Sequence, residues 1–309
     1  MHNTIFVVLG PTCSGKTSLA IDLCKKYAGE IISADSRQLY KHMDIGTGKS
    51  PVDPALSMEK GDEKWRIDGV DIWGYDLVEP NEFFTVHDYA LFALKKARVL
   101  MKEKVVFLVG GTGFYIDTVT GNVTLSGILP NFELRNELKS KTLNELLILA
   151  TSLNVSVKNE SEMGNKQRLI RTLEKAQMGE KDSIPLPYLT DAQYVLIGLE
   201  AERSFLYQKA DDWVVKIWGN GLVDEVENLR KLGYGNSPKL KSLIYGQVSD
   251  YIDGKDTEAD CVQKMKYAMH SYIRRQETYF KKVRNIHWYD VSEDSYKQNV
   301  YNQVERYVG

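Results

Sequence analysis

Apolar residues follow two spacings in this chain, continuous runs and helical repeats, and the two alternate along the sequence. Continuous runs predict buried strands at residues 5–9, 30–35, 105–109 and 194–199. Repeats of three and four residues predict helices at 19–27, 85–103 and 206–229. This alternation favours an α/β fold whose core is a largely parallel sheet.

Between the third and fourth strands the pattern changes. Residues 118–189 are polar and contain short helical patterns, including 131–138 and 143–152. We therefore expect a small helical insertion at 118–189 in a core made of 1–117 and 190–309. Residues 75–78 could form one more short strand, and the irregular segment 51–74 gives no clear prediction.

The first strand runs into a glycine-rich segment, Gly10-Pro11-Thr12-Cys13-Ser14-Gly15-Lys16-Thr17, and then into a helix. The spacing G-x-x-x-x-G-K-[ST] is typical of a phosphate-binding P-loop, in which backbone N–H groups at a helix N-terminus surround phosphate oxygens. Lys16 adds positive charge, and the Thr17 hydroxyl can bind Mg²⁺. The sequence thus predicts a P-loop NTPase-like core, flanked by helices, that binds a diphosphate or triphosphate.

Asp35 follows the second predicted strand and opens the polar stretch Asp35-Ser36-Arg37-Gln38. In open α/β sheets, ligands bind at the carboxyl ends of the strands, so Asp35 can face the same crevice as the P-loop. Asp35 or Ser36 could equally cap the following turn. The glycine-containing segment 43–49 downstream favours a substrate-holding loop.

The third strand ends in Gly110-Gly111-Thr112-Gly113. Many P-loop phosphotransferases place a Mg²⁺-binding aspartate after such a strand. Glycines with Thr112 instead allow a substrate to approach the backbone closely, which weakens the interpretation as a kinase or ATPase.

Three further segments carry basic residues at positions where they could bind a phosphate group or RNA. Arg203 opens the helix after the fourth strand and could neutralise a leaving pyrophosphate, or merely lie over the core. Gln167, Arg168 and Arg171 share one helix face, which suits RNA contacts or a solvated face with an Arg171–Glu174 pair. Residues 264–284 interleave basic and aromatic side chains, as RNA-binding surfaces do.

Composition narrows the class of protein. The 309 residues are 43% hydrophobic with a net charge of −2, which permits a large core and gives no general attraction to nucleic acid. Three distant cysteines argue against a disulfide framework and favour a reducing cytoplasm. The first apolar run is only five residues long and lacks a basic leader, so we expect a core strand and not a signal peptide or membrane span.

Together these motifs resemble the tRNA dimethylallyltransferases, also called tRNA isopentenyltransferases. The resemblance rests on five blocks in the family order: residues 10–17, 35–47, 110–113, Gln167-Arg168-x-x-Arg171 and Arg274-Arg275-Gln276-x-Thr278. The family transfers a dimethylallyl group from its diphosphate to the exocyclic amine of the adenosine 3′-adjacent to the anticodon. The resemblance implies that the protein binds the tRNA anticodon stem-loop, dimethylallyl diphosphate and Mg²⁺. We expect a monomer that does not bind a membrane.

The resemblance also implies residue roles. Asp35 matches the base that takes the amine proton, Arg203 matches an arginine at the leaving diphosphate, residues 10–17 match the diphosphate site, and Thr17 matches the Mg²⁺ ligand. The positions that match tRNA contacts are Asp35, Ser36, Arg37, Gln38, Thr112, Arg135, Gln167, Arg168, Leu169, Ile170, Arg171, Arg274, Arg275 and Gln276.

Departures from the family pattern occur at Lys209 and Trp213, where arginines are usual, and at Ile244 and Gly246, which flank Tyr245. We expect these to alter tRNA preference more than chemistry. Cys13 takes a position usually held by a small residue, and a thiol at a helix N-terminus could be unusually acidic. Alternative functions are prenyl transfer to a free adenine nucleotide, a P-loop kinase with Asp35 as base, and RNA binding without catalysis.

Overall fold

The computed structural model describes residues 3–125, 128, 130–157, 163–178 and 185–308. Two compact units divide the chain: Met1–Val123 with Pro187–Gly309, and Thr124–Leu186. We call them the sheet unit and the helical unit. This division lies close to the predicted insertion at 118–189.

An eight-stranded sheet forms the centre of the sheet unit. Its strands are β1 (Thr4–Leu9), β2 (Gly29–Ser33), β3 (Met58–Lys60), β4 (Lys64–Ile67), β5 (Val70–Trp73), β6 (Val105–Gly110), β7 (Gln193–Glu200) and β8 (Ile286–Asp290). They lie in the order β3-β4-β5-β2-β6-β1-β7-β8. From β5 to β8 every neighbouring pair is parallel, whereas β3, β4 and β5 form an antiparallel edge.

The apolar runs explain the central position of β1 and β6. Every residue of both strands is buried, because helices cover both faces of the sheet at this point. Their register pairs Ile5 with Val106 and Leu9 with Gly110. Since the pairing is parallel, the loops after β1, β2, β6 and β7 all leave the same edge of the sheet.

The sheet unit also contains α1 (Lys16–Tyr27), α2 (Val86–Leu100), α3 (Gly113–Val119), α7 (Arg203–Gly219), α8 (Leu222–Lys231), α9 (Leu243–Ile252), α10 (Glu258–Phe280) and α11 (Tyr296–Val308). The apolar pattern at 206–229 belongs to two helices, α7 and α8, because Gly221 has a φ of 93° and ends the repeat between them. The predicted α/β fold class is confirmed.

The structure differs most from the prediction between residues 51 and 78. Segment 51–74 holds β3, β4 and β5, whereas residues 75–78 contribute only a single bridge, between Tyr40 and Val78. The prediction of a strand at 75–78 is wrong because the strand β5 ends at Trp73, and Gly74 and Asp76 both have positive φ.

The helical unit contains α4 (Phe132–Ser140), α5 (Leu143–Ser152) and α6 (Lys166–Met178). Its core consists of Leu138, Leu146, Ala150, Leu169, Ile170 and Leu173. Each helix supplies two or more apolar residues to this core or its margin. The helices predicted at 131–138 and 143–152 are confirmed.

Candidate active site

The backbone of the P-loop between β1 and α1 adopts conformations that favour glycine. Gly10 has a φ of 146°, and a Cβ there would lie 2.3 Å from the Leu199 carbonyl oxygen. Gly15 has a φ of 82° and precedes the first residue of α1. The Cys13 φ of 63° is also positive, so the loop curls at three points. Pro11 and Ser14 are buried beneath this curl, and the Ser14 hydroxyl donates to the Pro11 carbonyl at 2.9 Å.

Lys16 lies at the N-terminus of α1, where the helix dipole adds to its charge. Its Nζ donates to the Pro11 carbonyl at 2.6 Å. Desolvation lowers the pKa of Lys16 to about 8, although Asp35 opposes this shift. Lys16 therefore carries a charge that an anionic phosphate would stabilise strongly.

Asp35 lies just beyond β2, at the same edge of the sheet as the P-loop. Its Oδ1 accepts the Arg37 backbone N–H at 2.8 Å. Burial raises the pKa of the Asp35 carboxyl, while the N–H groups of Arg37 and Gln38 and the charge of Lys16 act in the opposite direction. A carboxylate with a raised pKa is a stronger base than an ordinary aspartate.

A cavity of about 240 Å³ joins these groups. Five P-loop residues line it together with Asp35, Arg37 and Gln38, and these five are Thr12, Cys13, Gly15, Lys16 and Thr17. Its lining also includes a largely apolar set, the apolar wall, formed by Val109, Trp213, Leu243, Ile244, Tyr245, Met269 and Tyr272. One cavity thus combines a cationic phosphate site, a basic carboxylate and an apolar wall.

The loop 44–48 closes one side of the cavity, and Glu225 of α8 holds it. The two carboxylate oxygens of Glu225 accept the backbone N–H groups of Asp44, Ile45 and Gly46 at 2.8, 2.6 and 3.2 Å, and the Tyr245 hydroxyl at 2.7 Å. Burial raises the pKa of Glu225 despite these donors.

The same loop is connected to Gln38. The Gln38 Nε2 donates to the Thr47 carbonyl at 3.3 Å, and its Oε1 accepts the Ser33 hydroxyl at 2.7 Å. Since the Gln38 backbone N–H also donates to Asp35, the loop and the carboxylate share one hydrogen-bond network.

Comparison with known proteins shows to which family this chain belongs. The model of the family described as IPP transferase matches residues 38–283, and that described as isopentenyl transferase matches residues 3–60. The chain belongs to the IPP transferase family. The resemblance predicted from the motifs is confirmed.

Individual relatives cover almost the whole chain. The tRNA dimethylallyltransferase 1 of Geotalea uraniireducens is 32% identical over 305 residues, which are 96% of either chain. The tRNA dimethylallyltransferase of Lactococcus lactis is 32% identical over 314 residues, which are 99% of either chain. Among solved structures, the tRNA isopentenylpyrophosphate transferase of Bacillus halodurans has a TM-score of 0.70 at 28% identity and covers 99% of this chain and 97% of its own.

Within this IPP transferase fold, Ser36 and Thr112 lie together at the ends of β2 and β6. The Ser36 backbone N–H donates to the Thr112 hydroxyl oxygen at 3.0 Å, and the Thr112 N–H donates to the Ala34 carbonyl at 3.1 Å. Arg37 extends towards α9, where its Nη2 donates to the Ser242 hydroxyl at 2.8 Å. These predicted site residues are therefore neighbours.

The three residues of α10 that are predicted to contact tRNA differ in how deeply they are buried. Arg274 and Arg275 are exposed, whereas Gln276 is only 5% exposed. The Gln276 Oε1 accepts the Thr12 N–H at 2.8 Å, and its Nε2 donates to the Gly111 carbonyl at 3.0 Å. Both ends of the Gln276 amide therefore bind the protein's own loops, and its contact with tRNA stays a prediction.

Arg203 does not line the cavity. Its Nε donates to Glu277 of α10 at 2.7 Å, and half of the Arg203 side chain is exposed. A role at the diphosphate would require Arg203 to leave Glu277. The prediction of an acidic Cys13 thiol is also wrong, since burial raises its pKa more than the Thr12 hydrogen bond and Lys16 lower it.

In the helical unit, Gln167 and Arg168 are exposed on α6, whereas Leu169 and Ile170 are buried in the core. The helical period turns both side chains inward, and the predicted contact of Leu169 and Ile170 with tRNA is not tested by this structure. Arg171 forms the pair with Glu174 that was given above as the alternative to an RNA contact. It binds Glu174 and also donates to the Ile128 carbonyl at 2.5 Å.

Arg135 binds the same carboxylate. Its Nε and Nη2 each lie 2.9 Å from an oxygen of Glu174, whose side chain has no exposed surface. The Asn131 N–H donates to Glu174 at 2.6 Å. The two arginines therefore neutralise a buried carboxylate that joins α4 to α6.

Sequence reasoning missed the apolar wall and Glu225. Met269, Tyr272 and Gln276 have the spacing of one helix face, so the periodicity of α10 could have indicated that they point together. Trp213 is noted above only as a departure from the family pattern, and nothing local marks Glu225, because its partners come from distant segments. Among the described helices, none is both long and apolar enough to cross a bilayer.

Proposed function

We propose that this protein transfers a dimethylallyl group from dimethylallyl diphosphate to the exocyclic amine of the tRNA adenosine 3′-adjacent to the anticodon, and releases diphosphate. The observation that carries the proposal is the single cavity shared by Lys16, Asp35 and an apolar wall. Diphosphate, amine and prenyl group each find complementary chemistry there. The tRNA dimethylallyltransferases named above support the choice of acceptor.

Asp35 acts on the acceptor. The adenine amine is a weak nucleophile because its lone pair is delocalised into the ring. As the new nitrogen–carbon bond forms, Asp35 takes the amine proton, and its raised pKa favours that transfer. The allylic carbon–oxygen bond breaks in the same reaction, and its electron pair leaves with diphosphate.

Lys16 and the P-loop act on the donor. The N–H groups at the start of α1 and the Lys16 ammonium stabilise the negative charge that accumulates on the leaving diphosphate. Arg203, once released from Glu277, would add to this stabilisation. Residues 10–17 thus bind the donor, while Asp35 serves the acceptor across the cavity.

Mg²⁺ fits this site through Thr17. The ion needs only one or two protein oxygens when substrate phosphates and water fill the rest of its coordination shell. Thr17 lines the cavity beside Lys16, and no cluster of three His, Cys, Asp or Glu side chains suited to another metal occurs in the described ranges. When bound, Mg²⁺ would neutralise charge on the diphosphate.

For the tRNA, we propose contacts at Ser36, Arg37, Gln38 and Thr112 beside the cavity. Additional contacts come from Gln167 and Arg168 in the helical unit and from Arg274 and Arg275 on α10, all of which are exposed. An adenosine that leaves the anticodon loop to reach Asp35 loses stacking, and these contacts would compensate. With tRNA as acceptor, we expect a cytoplasmic monomer.

The test is incubation of the purified protein with labelled dimethylallyl diphosphate, Mg²⁺ and unmodified tRNA, with AMP and ATP as parallel acceptors. Label on the adenosine next to the anticodon supports the proposal. Label on free nucleotide would instead establish a nucleotide prenyltransferase. ATP hydrolysis without any prenyl transfer would establish a kinase or ATPase.

A further inference from the structure

Gln276 lies near the C-terminal end of α10, the RNA-facing helix of the proposed function, but its side chain is buried and joins two distant loops. Its Oε1 accepts the N–H of Thr12 in the P-loop, 264 residues away in sequence. Its Nε2 donates to the carbonyl of Gly111, 165 residues away. The amide therefore acts as acceptor and donor at once, between the loops that follow β1 and β6.

Residues 111–113 pack closely against side chains of α10. A Cβ on Gly111 would lie 2.1 Å from the Gln276 Nε2, and a Cβ on Gly113 would lie 2.2 Å from the Tyr279 ring. The backbone of residues 111–113 therefore packs directly against one face of α10. We expect a displacement of α10 to reach this loop through the side chains of Gln276 and Tyr279, which contact it.

We propose that Gln276 is a positioning residue that fixes the P-loop against the 110–113 loop from the RNA-facing helix. Arg274 and Arg275, which precede it, are exposed on the same helix. Engagement of tRNA by these arginines is thereby linked to the donor site through Gln276. This inference rests on the proposed function, in which the P-loop holds the donor diphosphate.

The bond pattern predicts which side chains can replace Gln276. A methionine has a similar length but provides neither bond. A glutamate accepts from Thr12, but its ionised form offers a second negative oxygen to the Gly111 carbonyl. Protonation converts that oxygen into a donor and restores both bonds. The glutamate variant should therefore recover at low pH, whereas the methionine variant should not.

The experiment compares the wild type, Gln276→Glu and Gln276→Met in single-turnover prenylation of tRNA at pH 6 and pH 8. We expect both variants to be about tenfold to a hundredfold slower than the wild type at pH 8, since a buried hydrogen-bonding group is left unpaired. At pH 6 the ratio of Gln276→Glu to wild type should rise at least about fivefold. The ratio for Gln276→Met should stay constant.

Each variant's rate is divided by the wild-type rate at the same pH, so that the effects of the other ionisable groups in the cavity cancel. Its ionisable side chains are Cys13, Lys16, Asp35, Arg37, Tyr245 and Tyr272, and all are present in every variant. The tRNA dissociation constant is measured in parallel by filter binding, and we expect it to change less than threefold. Arg275→Gln is the matched control, because it should weaken tRNA binding and leave the pH ratio flat.

Two results would overturn the inference. One is a Gln276→Glu to wild-type ratio that does not change with pH. The other is a loss confined to tRNA affinity, which would make Gln276 a direct RNA contact. If the wild type prenylates no acceptor, the proposed function fails by itself. The positioning role is then tested by binding of inorganic pyrophosphate, where the same pH-dependent recovery is expected.

Discussion

Glu225→Ala tests whether a residue of α8 supports the cavity. In the wild type, the Glu225 carboxylate accepts three consecutive backbone N–H groups of residues 44–46 and the hydroxyl of Tyr245. Alanine removes both oxygens and leaves four donors without an acceptor. The residue is half-buried, so water can reach only part of the vacated space.

The size of the effect follows from these donors. An N–H group that loses its acceptor in a buried position costs about 1–3 kcal/mol. With the lower value at each N–H, because water replaces some of the bonds, and a similar cost at Tyr245, the free energy of unfolding should fall by about 3–5 kcal/mol. That is a large part of the stability of an ordinary domain.

Urea denaturation followed by circular dichroism measures the change. Glu227→Ala on the same helix is the control, since within the described residues the ion pair of Glu227 is an exposed i,i+4 pair with Lys231 at 3.8 Å. Prenylation should also fall in Glu225→Ala, because the loop 44–48 lines the cavity and orients Gln38. A variant with wild-type stability and wild-type turnover would refute the argument that Glu225 holds this loop.

Other predictions concern chemistry and the helical unit. Asp35→Asn should slow single-turnover transfer by about 10²–10⁴-fold and leave binding of inorganic pyrophosphate within twofold of the wild type; full activity would remove Asp35 as the base. In the wild type, kcat/KM should fall as pH drops through the raised pKa of Asp35, which must be ionised, and fall again above about pH 8 as Lys16 loses its proton. A profile without the alkaline decline would contradict the role of Lys16. Glu174→Ala should destabilise the helical unit by about 3–5 kcal/mol, because Arg135 and Arg171 lose a buried partner. Limited proteolysis should then cut α4 or α6 faster than in the wild type, and equal rates would count against that estimate.

The features that sequence predicted well are those encoded over short distances. The P-loop needs only its own glycines, the strand before it and the helix after it. Asp35 and Thr112 were placed at one sheet edge because both follow buried parallel strands. Each of these inferences uses the local pattern and one rule of sheet topology.

The features that sequence did not predict depend on contacts between distant segments. Glu225 meets residues 44–46 across about 180 positions of the chain, and Gln276 meets Thr12 across 264. A helical period shows only which side chains share a face, and the family resemblance predicts an RNA contact for Gln276. Its burial depends on the loops that pack there.

The edge strand β3 has a consequence for how copies of this chain meet one another. Its three residues, Met58-Glu59-Lys60, are all exposed, and two of them are charged. An unpaired strand edge can recruit a strand from another molecule and begin aggregation, but short edges with charged side chains oppose that pairing. The irregular segment that gave no clear strand pattern thus ends the sheet in a form that discourages its growth between molecules.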